Sequence, residues 1–499
     1  MGKEIENKWY YFSIITLSIY FIIRVLNESK ILHVFPLDYT NDYASHIAKL
    51  FFLDKCGLFD LCPYWYNGVD VFSMYPPGWF IFTLPIYYLT NNLLYSTFIS
   101  EMILFFISLL IINYFGKKLD ISFAKRLGFF VLFSFNAMSI GNYVRLGRLP
   151  EMFSWVNFLV FAFLMLYFLK KRLDWRFIFI SIFYALIVIS HQTTAIVSSV
   201  LFLSLFLAKR GKEKMIVIAS AALALALSSW WWIEYLMNVG DGSALTYVLS
   251  NWLLDFKTLL YENIAAIILP LASLALFYFY IRDKSKEERL FFIPIVAIII
   301  LVMTRLIVFI PLFNYVYTDP YMYFILFFAL YFMTKTRLPR LLYALAVTSL
   351  VLVPIASIAV NEVHTPYLPN YGERQKNAVE IVDYIEGRFF IDSYENYETY
   401  SELLEDKDAL FAKAFYALAA TKGKNGAGGW NEQFVSKEYN RLVNSRLVTR
   451  DCDKMKNDLN TLNVTEVIVF DEDCIAVKKC GLNEKKRIGD ACLYEMDSK

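Results

Sequence analysis

The sequence lacks the short motifs of several common enzyme classes. It contains no P-loop, no GxGxxG segment after a strand, no GxSxG elbow and no HExxH pair. No motif therefore indicates an ATP-driven protein, a dinucleotide-dependent enzyme, a serine hydrolase or a zincin. Charge is also sparse, at 19% of residues, and the net charge is only +2, so the composition does not indicate a nucleic-acid partner.

Apolar residues are abundant instead. They make up 58% of the chain, whereas a soluble protein has about 45–50%. Runs such as Trp9–Ile23, Ile216–Leu236 and Leu341–Val360 are long enough to cross a bilayer, which takes about 20 residues. The first run is followed by bulky residues rather than a small-residue cleavage site, so we expect it to stay as a helix. The sequence predicts a polytopic α-helical membrane protein.

Lysine and arginine occur in short clusters, and the positive-inside rule makes each cluster a cytoplasmic loop. The clusters are Lys117–Arg126, Lys170–Arg176, Lys209–Lys214, Arg282–Arg289 and Lys335–Arg340. An even number of crossings between clusters gives about eleven transmembrane helices, with the N-terminus in the cytoplasm and the C-terminus outside. Pro76–Leu89 is too short to count as a span, and we expect an interfacial or re-entrant helix that starts at the proline pair.

Two domains are expected. Residues 1–360 form the transmembrane domain, with a long first outer loop over 27–93, and residues 361–499 form a small extracytoplasmic α/β domain. All six cysteines fall in that loop or that tail, two in the first and four in the second. An even number in each region indicates disulfides in an oxidising space, although the four tail cysteines allow three pairings.

The first outer loop carries acidic residues at helical spacing. Asp38, Asp42 and His46 are four residues apart and would share one face of a helix. Such a face, above an apolar stripe, would direct two carboxylates and an imidazole at a ligand. The alternative is a polar face that only contacts solvent.

A second outward junction contains Arg145, Arg148 and Glu151. Arginines in an outer loop run against the charge bias, and the guanidinium fork suits phosphate. A salt bridge with Glu151 is the alternative. His191 lies at an outer turn, where a hydrogen-bonded structural role is the commoner one. Arg305 is expected inside the ninth span, where a charge usually faces a cavity or a partner such as Asp319 or a lipid phosphate.

Together these groups suit a phosphate-bearing lipid at the outer leaflet. A carboxylate near such a lipid could deprotonate an acceptor hydroxyl. It could instead hold a divalent cation, Mg²⁺ or Mn²⁺, against the phosphate, and Asp42 is the candidate ligand.

Several of these motifs resemble a known family. They are Asp42-x-x-x-His46, Gly68-Val69-Asp70-Val71-Phe72, Tyr75-Pro76-Pro77-Gly78, Gly147-Arg148-Leu149-Pro150-Glu151 and Ser190-His191. In this order they resemble the membrane proteins labelled "6-pyruvoyl-tetrahydropterin synthase-related", which belong to the GT-C glycosyltransferase superfamily. The tail is similar more loosely, through Gly428-Gly429-Trp430 and Leu462-Asn463-Val464.

The resemblance implies a GT-C fold and a polyprenyl-phosphate-linked sugar as donor. It makes Asp42 the candidate base or metal ligand, Asp38 the second choice, and Glu151 the second acidic position. The tail has no WWDYG motif of oligosaccharyltransferases, so we expect transfer of a single sugar.

The resulting hypothesis is an inverting glycosyltransferase of the cell membrane. Asp42 would activate a glycan, lipid or protein acceptor, and Arg145, Arg148 or Arg305 would hold the lipid phosphate. His46 and His191 are further candidates for substrate binding. The alternative is a non-enzymatic transporter, flippase or assembly factor for lipid-linked envelope precursors. The clustering of ionisable residues on the outer side favours the enzyme.

Overall fold

The structure is a computed structural model, and it describes residues 2–37, 42–238, 260–336, 355–360, 371–392, 412–430, 435–443, 447 and 451–496. Asp38, the loop over 239–259 and most of the predicted last span lie outside these residues. The chain divides into two compact units. The first comprises 1–27, 76–79 and 100–366, and the second comprises 28–75, 80–99 and 367–499.

The first unit is helical. Its α-helices are Gly2–Glu28, most of Leu93–Lys118, Phe123–Ser134, Ala137–Ser139, Leu149–Leu169, Ile180–Val188, Gln192–Ala208, Lys212–Asn238, Leu260–Ile281, Lys286–Met303 and Thr318–Lys335. Shorter turns of 3₁₀-helix cover Trp175–Phe179, Leu306–Phe309 and Phe313–Tyr315, and a π-helix covers Ile140–Arg145.

Apolar side chains hold these helices together. Leu149–Leu169 is buried along nearly its whole length and packs on Ile180–Val188. Gln192–Ala208 packs on Lys286–Met303, and Leu260–Ile281 packs on Thr318–Lys335. A helix that is apolar on all sides is typical of a membrane bundle or a large core.

Within the described residues, four helices are long and apolar enough to cross a membrane: Tyr10–Leu32, Leu93–Lys118, Leu149–Leu169 and Lys212–Asn238. A fifth results if Phe123–Ser134 and Ala137–Arg145, which meet at a bend of 48°, form one span. These helices are consistent with a membrane protein. The number of about eleven spans stays a prediction.

One predicted span ends early. The ninth was expected to run through Arg305, but the helix ends at Met303. Arg305 has a φ of 64°, in the left-handed region, and caps a 3₁₀ turn. Since a left-handed residue cannot continue an α-helix, the placement of Arg305 inside a helix was wrong.

The second unit contains a four-stranded sheet of β1 (Phe389–Ile391), β2 (Glu466–Phe470), β3 (Asn483–Ile488) and β4 (Ala491–Glu495), in the order β1-β2-β4-β3. β1 and β2 are parallel, and the other two pairs are antiparallel. The five residues of β2 are all buried. Its helices are Tyr43–Cys56, Val71–Met74, most of Gly78–Thr90, Glu373–Ile381, Ala412–Thr421, Lys437–Val443, Cys452–Thr461 and Glu472–Lys479.

The first outer loop packs against the C-terminal residues inside this unit. Tyr43–Cys56 lies on Ala412–Thr421. Trp65 Nε1 donates to the carbonyl oxygen of Tyr416 at 3.3 Å, and Asn67 Nδ2 donates to that of Leu462 at 2.9 Å. A Cβ at Gly429 would come within 2.8 Å of the Trp65 ring, so only glycine fits there. The predicted division had placed this loop with residues 1–360, and the domain boundary at 360 stays a prediction.

The expected disulfides are confirmed. Cys56 pairs with Cys62 in the first loop. In the tail, Cys452 pairs with Cys480 and Cys474 pairs with Cys492, which selects one of the three pairings. Cys474 and Cys492 lie in the buried core that surrounds the sheet.

Candidate functional site

A tight backbone turn positions the arginine and glutamate of the first unit. Leu146 caps the C-terminal end of the π-helix Ile140–Arg145, and Gly147 has a φ of 68°. The amide of Arg148 then donates back to the carbonyl oxygen of Asn142 at 2.9 Å. The next helix begins at Leu149, with Pro150 in its first turn, where a proline fits because no amide is needed. Glu151 therefore lies at a helix N-terminus, where the helix dipole favours a carboxylate.

Arg148 forms an ion pair with a residue far along the chain. Its Nη1 is 2.8 Å from Asp319 Oδ2, and Asn142 Nδ2 donates to the same oxygen at 2.9 Å. The sequence had suggested Glu151 as a salt-bridge partner of the arginines and Asp319 as a partner of Arg305. The structure pairs Asp319 with Arg148. The Arg148 side chain remains 30% exposed, so part of the guanidinium can still reach a ligand.

Tyr317 connects Glu151 with His191. Its hydroxyl donates to Glu151 Oε2 at 3.0 Å and lies 2.9 Å from His191 Nε2. Because the single hydroxyl proton goes to Glu151, the second contact requires His191 Nε2 to donate. Thr194 Oγ1 lies 2.8 Å from His191 Nδ1. The hydrogen bond from Tyr317 to Glu151 thus places a proton on His191 Nε2.

The protonation states of Tyr317 and His191 agree with this network. Burial lowers the pKa of His191 to about 3, and the charge of Arg148 acts in the same direction. Burial and the charge of Glu151 raise the pKa of Tyr317 well above its ordinary value. The phenol therefore keeps its proton, and the imidazole stays neutral at physiological pH.

Glu151 is held on both oxygens. Trp155 Nε1 donates to Oε1 at 3.3 Å, and Tyr317 donates to Oε2. Glu151 is 2% exposed, so these two bonds compensate a carboxyl group that is removed from water. The two bonds fix its orientation.

Two motifs that the sequence singled out meet at Gly78. Its amide donates to the carbonyl oxygen of Ile189 at 2.7 Å, and a Cβ there would lie 2.3 Å from Ser190 Oγ. The glycine of Tyr75-Pro76-Pro77-Gly78 is thus needed for the close approach to the turn that carries His191. The helix begins at Gly78, two residues after the predicted start at Pro76.

The second unit contains the predicted site residues of the first outer loop, and the described ones lie on one helix. Asp42 is the N-cap of Tyr43–Cys56, and His46 lies one turn further on. His46 is only 3% exposed, which contradicts the alternative of a solvated polar face. Its ring packs at 5.9 Å from Phe80 and 6.1 Å from Tyr75, measured between ring centroids.

The same face carries Lys49, which the spacing of the acidic residues does not single out. Lys49 is 1% exposed, its Nζ donates to Ser45 Oγ at 2.7 Å, and it lies 3.7 Å from the centroid of the Tyr75 ring. Burial lowers the pKa of Lys49 to about 7, and the charge of Asp42 opposes that effect.

The predicted residues fall into two groups, each within one unit. Arg148, Glu151 and His191 are brought together around Tyr317, while Asp42 and His46 share the helix with Lys49. Arg145 and Arg305 are buried in the first unit, at 2% and 7% exposure. Among the described residues, no three His, Cys, Asp or Glu side chains are grouped in a way that could hold a metal ion.

No protein-family model and no curated protein sequence matches the chain. Solved structures do match. Arabinofuranosyltransferase AftD from Mycobacteria aligns with 97% of this chain at 14% identity and a TM-score of 0.60, and the chain spans 40% of AftD. The archaeal oligosaccharyltransferase AglB from Archaeoglobus fulgidus, in complex with an inhibitory peptide and a dolichol-phosphate, aligns with 92% of the chain at 11% identity and a TM-score of 0.52, over 69% of its own length.

These neighbours are glycosyltransferases of the GT-C fold. At such low identity the likeness defines the fold, and the chain therefore has the fold of GT-C membrane proteins. The narrower resemblance to the "6-pyruvoyl-tetrahydropterin synthase-related" proteins stays a prediction.

Proposed function

We propose that this protein is an inverting membrane glycosyltransferase that uses a polyprenyl-phosphate-linked sugar. The observation that carries the proposal is the GT-C fold over nearly the whole chain, shared with an arabinofuranosyltransferase and an oligosaccharyltransferase. The acceptor is a glycan, lipid or protein at the outer membrane face. The N-terminus is cytoplasmic, and the C-terminal residues lie outside, as the charge clusters predict.

Asp42 acts as the general base in this proposal. The acceptor hydroxyl oxygen forms a bond to the anomeric carbon, and its proton moves to the Asp42 carboxylate. The bond from that carbon to the phosphate oxygen breaks, and the lipid phosphate leaves with the electron pair. Attack opposite to the leaving phosphate inverts the anomeric centre. Asp38 is the second candidate for the base.

Arginine holds the leaving phosphate. Of the three candidates, Arg148 suits this role best because its side chain is 30% exposed, whereas Arg145 and Arg305 are buried. Asp319 fixes the guanidinium through the ion pair, and Asn142 donates to the same Asp319 oxygen. Glu151 and His191 then support the local structure through Tyr317, and His46 orients the helix of Asp42 by packing on Phe80.

Transfer from a defined donor tests the proposal. Full-length protein in liposomes is incubated with synthetic polyprenyl-phosphate sugars and extracts of cell-envelope acceptors, and the product is followed by mass spectrometry. Asp42→Asn should lower kcat by about 10²–10⁴, the usual contribution of a general base. Asp54→Asn on the same helix is the matched control, since Asp54 pairs with Lys55 at 3.0 Å.

The configuration of the new glycosidic bond shows whether the transfer inverts or retains the anomeric centre. We expect NMR of its anomeric proton to show a configuration opposite to that of the donor. Full activity of Asp42→Asn would remove Asp42 from the role of base. Movement of the lipid-linked sugar across the liposome without any transfer would favour the transporter instead.

A further inference from the structure

Lys49 is a buried lysine in the middle of the helix Tyr43–Cys56, which follows the proposed base Asp42. It is 1% exposed, and its ammonium contacts Ser45 Oγ at 2.7 Å and the Tyr75 ring at 3.7 Å from the centroid. Neither the hydroxyl nor the ring carries a charge. A buried ammonium is costly unless an anion balances it, so a carboxylate whose charge reaches it matters.

Asp42 is that carboxylate. It precedes Lys49 by seven residues, which is two helical turns and places both on one face. The Asp42 charge acts on Lys49 and favours its charged form. An aspartate at an N-cap ordinarily accepts a bond from its own helix, and the Asp42 side chain makes no such cap bond.

The possible metal ligands among the described residues of this face do not suit a divalent cation. Mg²⁺ and Mn²⁺ need several oxygen ligands, and the face offers Asp42, Ser45 and His46 together with an ammonium. The Ser45 hydroxyl already accepts from Lys49. The ammonium cannot act as a ligand, and its charge repels a second cation beside Asp42.

We infer that Lys49 takes the place of a divalent cation at Asp42. It is a positioning residue that keeps the carboxylate ionised and oriented, and the helix binds no metal for this purpose. Lys49 is too deeply buried to touch a substrate, so it acts through Asp42. The catalytic part of this inference rests on the proposed function, whereas the part about metal binding does not.

Binding of Mn²⁺ to the full-length wild-type protein tests the metal part without any activity. Electron paramagnetic resonance measures free and bound Mn²⁺ in wild type and in Asp42→Asn. We expect the two proteins to bind the same amount. Stoichiometric binding by wild type that Asp42→Asn abolishes would overturn the inference, whether or not transfer is observed.

Kinetics test the positioning role. Lys49→Met keeps the length of the side chain and removes the charge, and we expect kcat to fall about tenfold while KM for the lipid donor stays the same, since only part of the general-base contribution is lost. Lys49→Arg should recover part of kcat. Lys55→Met on the same helix, where the side chain is 50% exposed, is the control and should leave kcat unchanged.

The remaining outcomes are distinct. Wild-type transfer that is unchanged by EDTA supports the inference, and transfer that EDTA abolishes and Mg²⁺ restores overturns it. A Lys49→Met protein with the wild-type kcat also overturns it. If wild type transfers no sugar from any donor, the proposed function fails, and the Mn²⁺ measurement still decides whether Asp42 binds a metal.

Discussion

Tyr317→Phe isolates the hydrogen-bond bridge of the first unit. The substitution removes one hydroxyl and keeps the ring, which packs edge-on against His191 and beneath Arg148 at 5.8 Å in each case. Two bonds are lost, one of 3.0 Å to Glu151 and one of 2.9 Å to His191. A buried group left without its partner costs about 1–3 kcal/mol, so the loss of two such bonds should lower the free energy of unfolding by roughly 2–6 kcal/mol.

Denaturant unfolding in detergent, followed by circular dichroism, measures this loss. Tyr321→Phe is the matched control, since its buried hydroxyl donates to the carbonyl oxygen of Phe313 at 2.7 Å. Losing a single bond of that kind should cost only about 1 kcal/mol. If the two variants unfold at the same denaturant concentration, Tyr317 does not bridge Glu151 and His191, and the deduced protonation of His191 loses its basis.

Three further predictions concern pH, packing and the disulfides. The pKa of His191 is lowered to about 3 in the folded protein, so between pH 6.5 and 3 only the unfolded chain binds a proton at this residue. The stability of wild type relative to His191→Gln should therefore be constant above pH 6.5 and fall as the pH is lowered from about 6.5 to 3. Equal pH profiles for the two proteins would contradict the shift. Gly78→Ala brings a Cβ within 2.3 Å of Ser190 Oγ and should cost about 1–3 kcal/mol in unfolding experiments, and adding Ser190→Ala should recover part of that loss. Replacing both Cys474 and Cys492 by serine opens a link over 18 residues and should cost about 3 kcal/mol by the same measurement, whereas a loss near zero would indicate that the pair is not oxidised.

The helix of the first loop illustrates what spacing can predict. Asp42 and His46 do share one face of a helix, because residues four apart always do. The same rule applies to Lys49, three residues after His46, so its place on that face could have been read from the sequence. Its burial could not, because lysine is rarely buried and the packing of Tyr75 over it depends on residues far along the chain.

Other features depended on distant parts of the chain. Tyr317 is 166 residues from Glu151, and nothing local marks it as the partner of that carboxylate. Asp319 could be named as an outer carboxylate, but which arginine it pairs with was set by packing. The helix ends at Met303, and no glycine or proline beside Arg305 predicts that end. A left-handed arginine is also uncommon.

The disulfides of the tail have a consequence for how the protein matures. In chain order the four cysteines are Cys452, Cys474, Cys480 and Cys492, so the two bonds interleave rather than join consecutive residues. If the tail enters an oxidising compartment from its N-terminal end, as the proposed topology requires, Cys452 meets Cys474 before its true partner has emerged. A bond formed at that moment has to be exchanged later, since thiolate attack on an existing disulfide is the route by which pairs are reshuffled. Production of active protein should therefore depend on a disulfide isomerase in the host, or on a redox buffer that lets early bonds reopen.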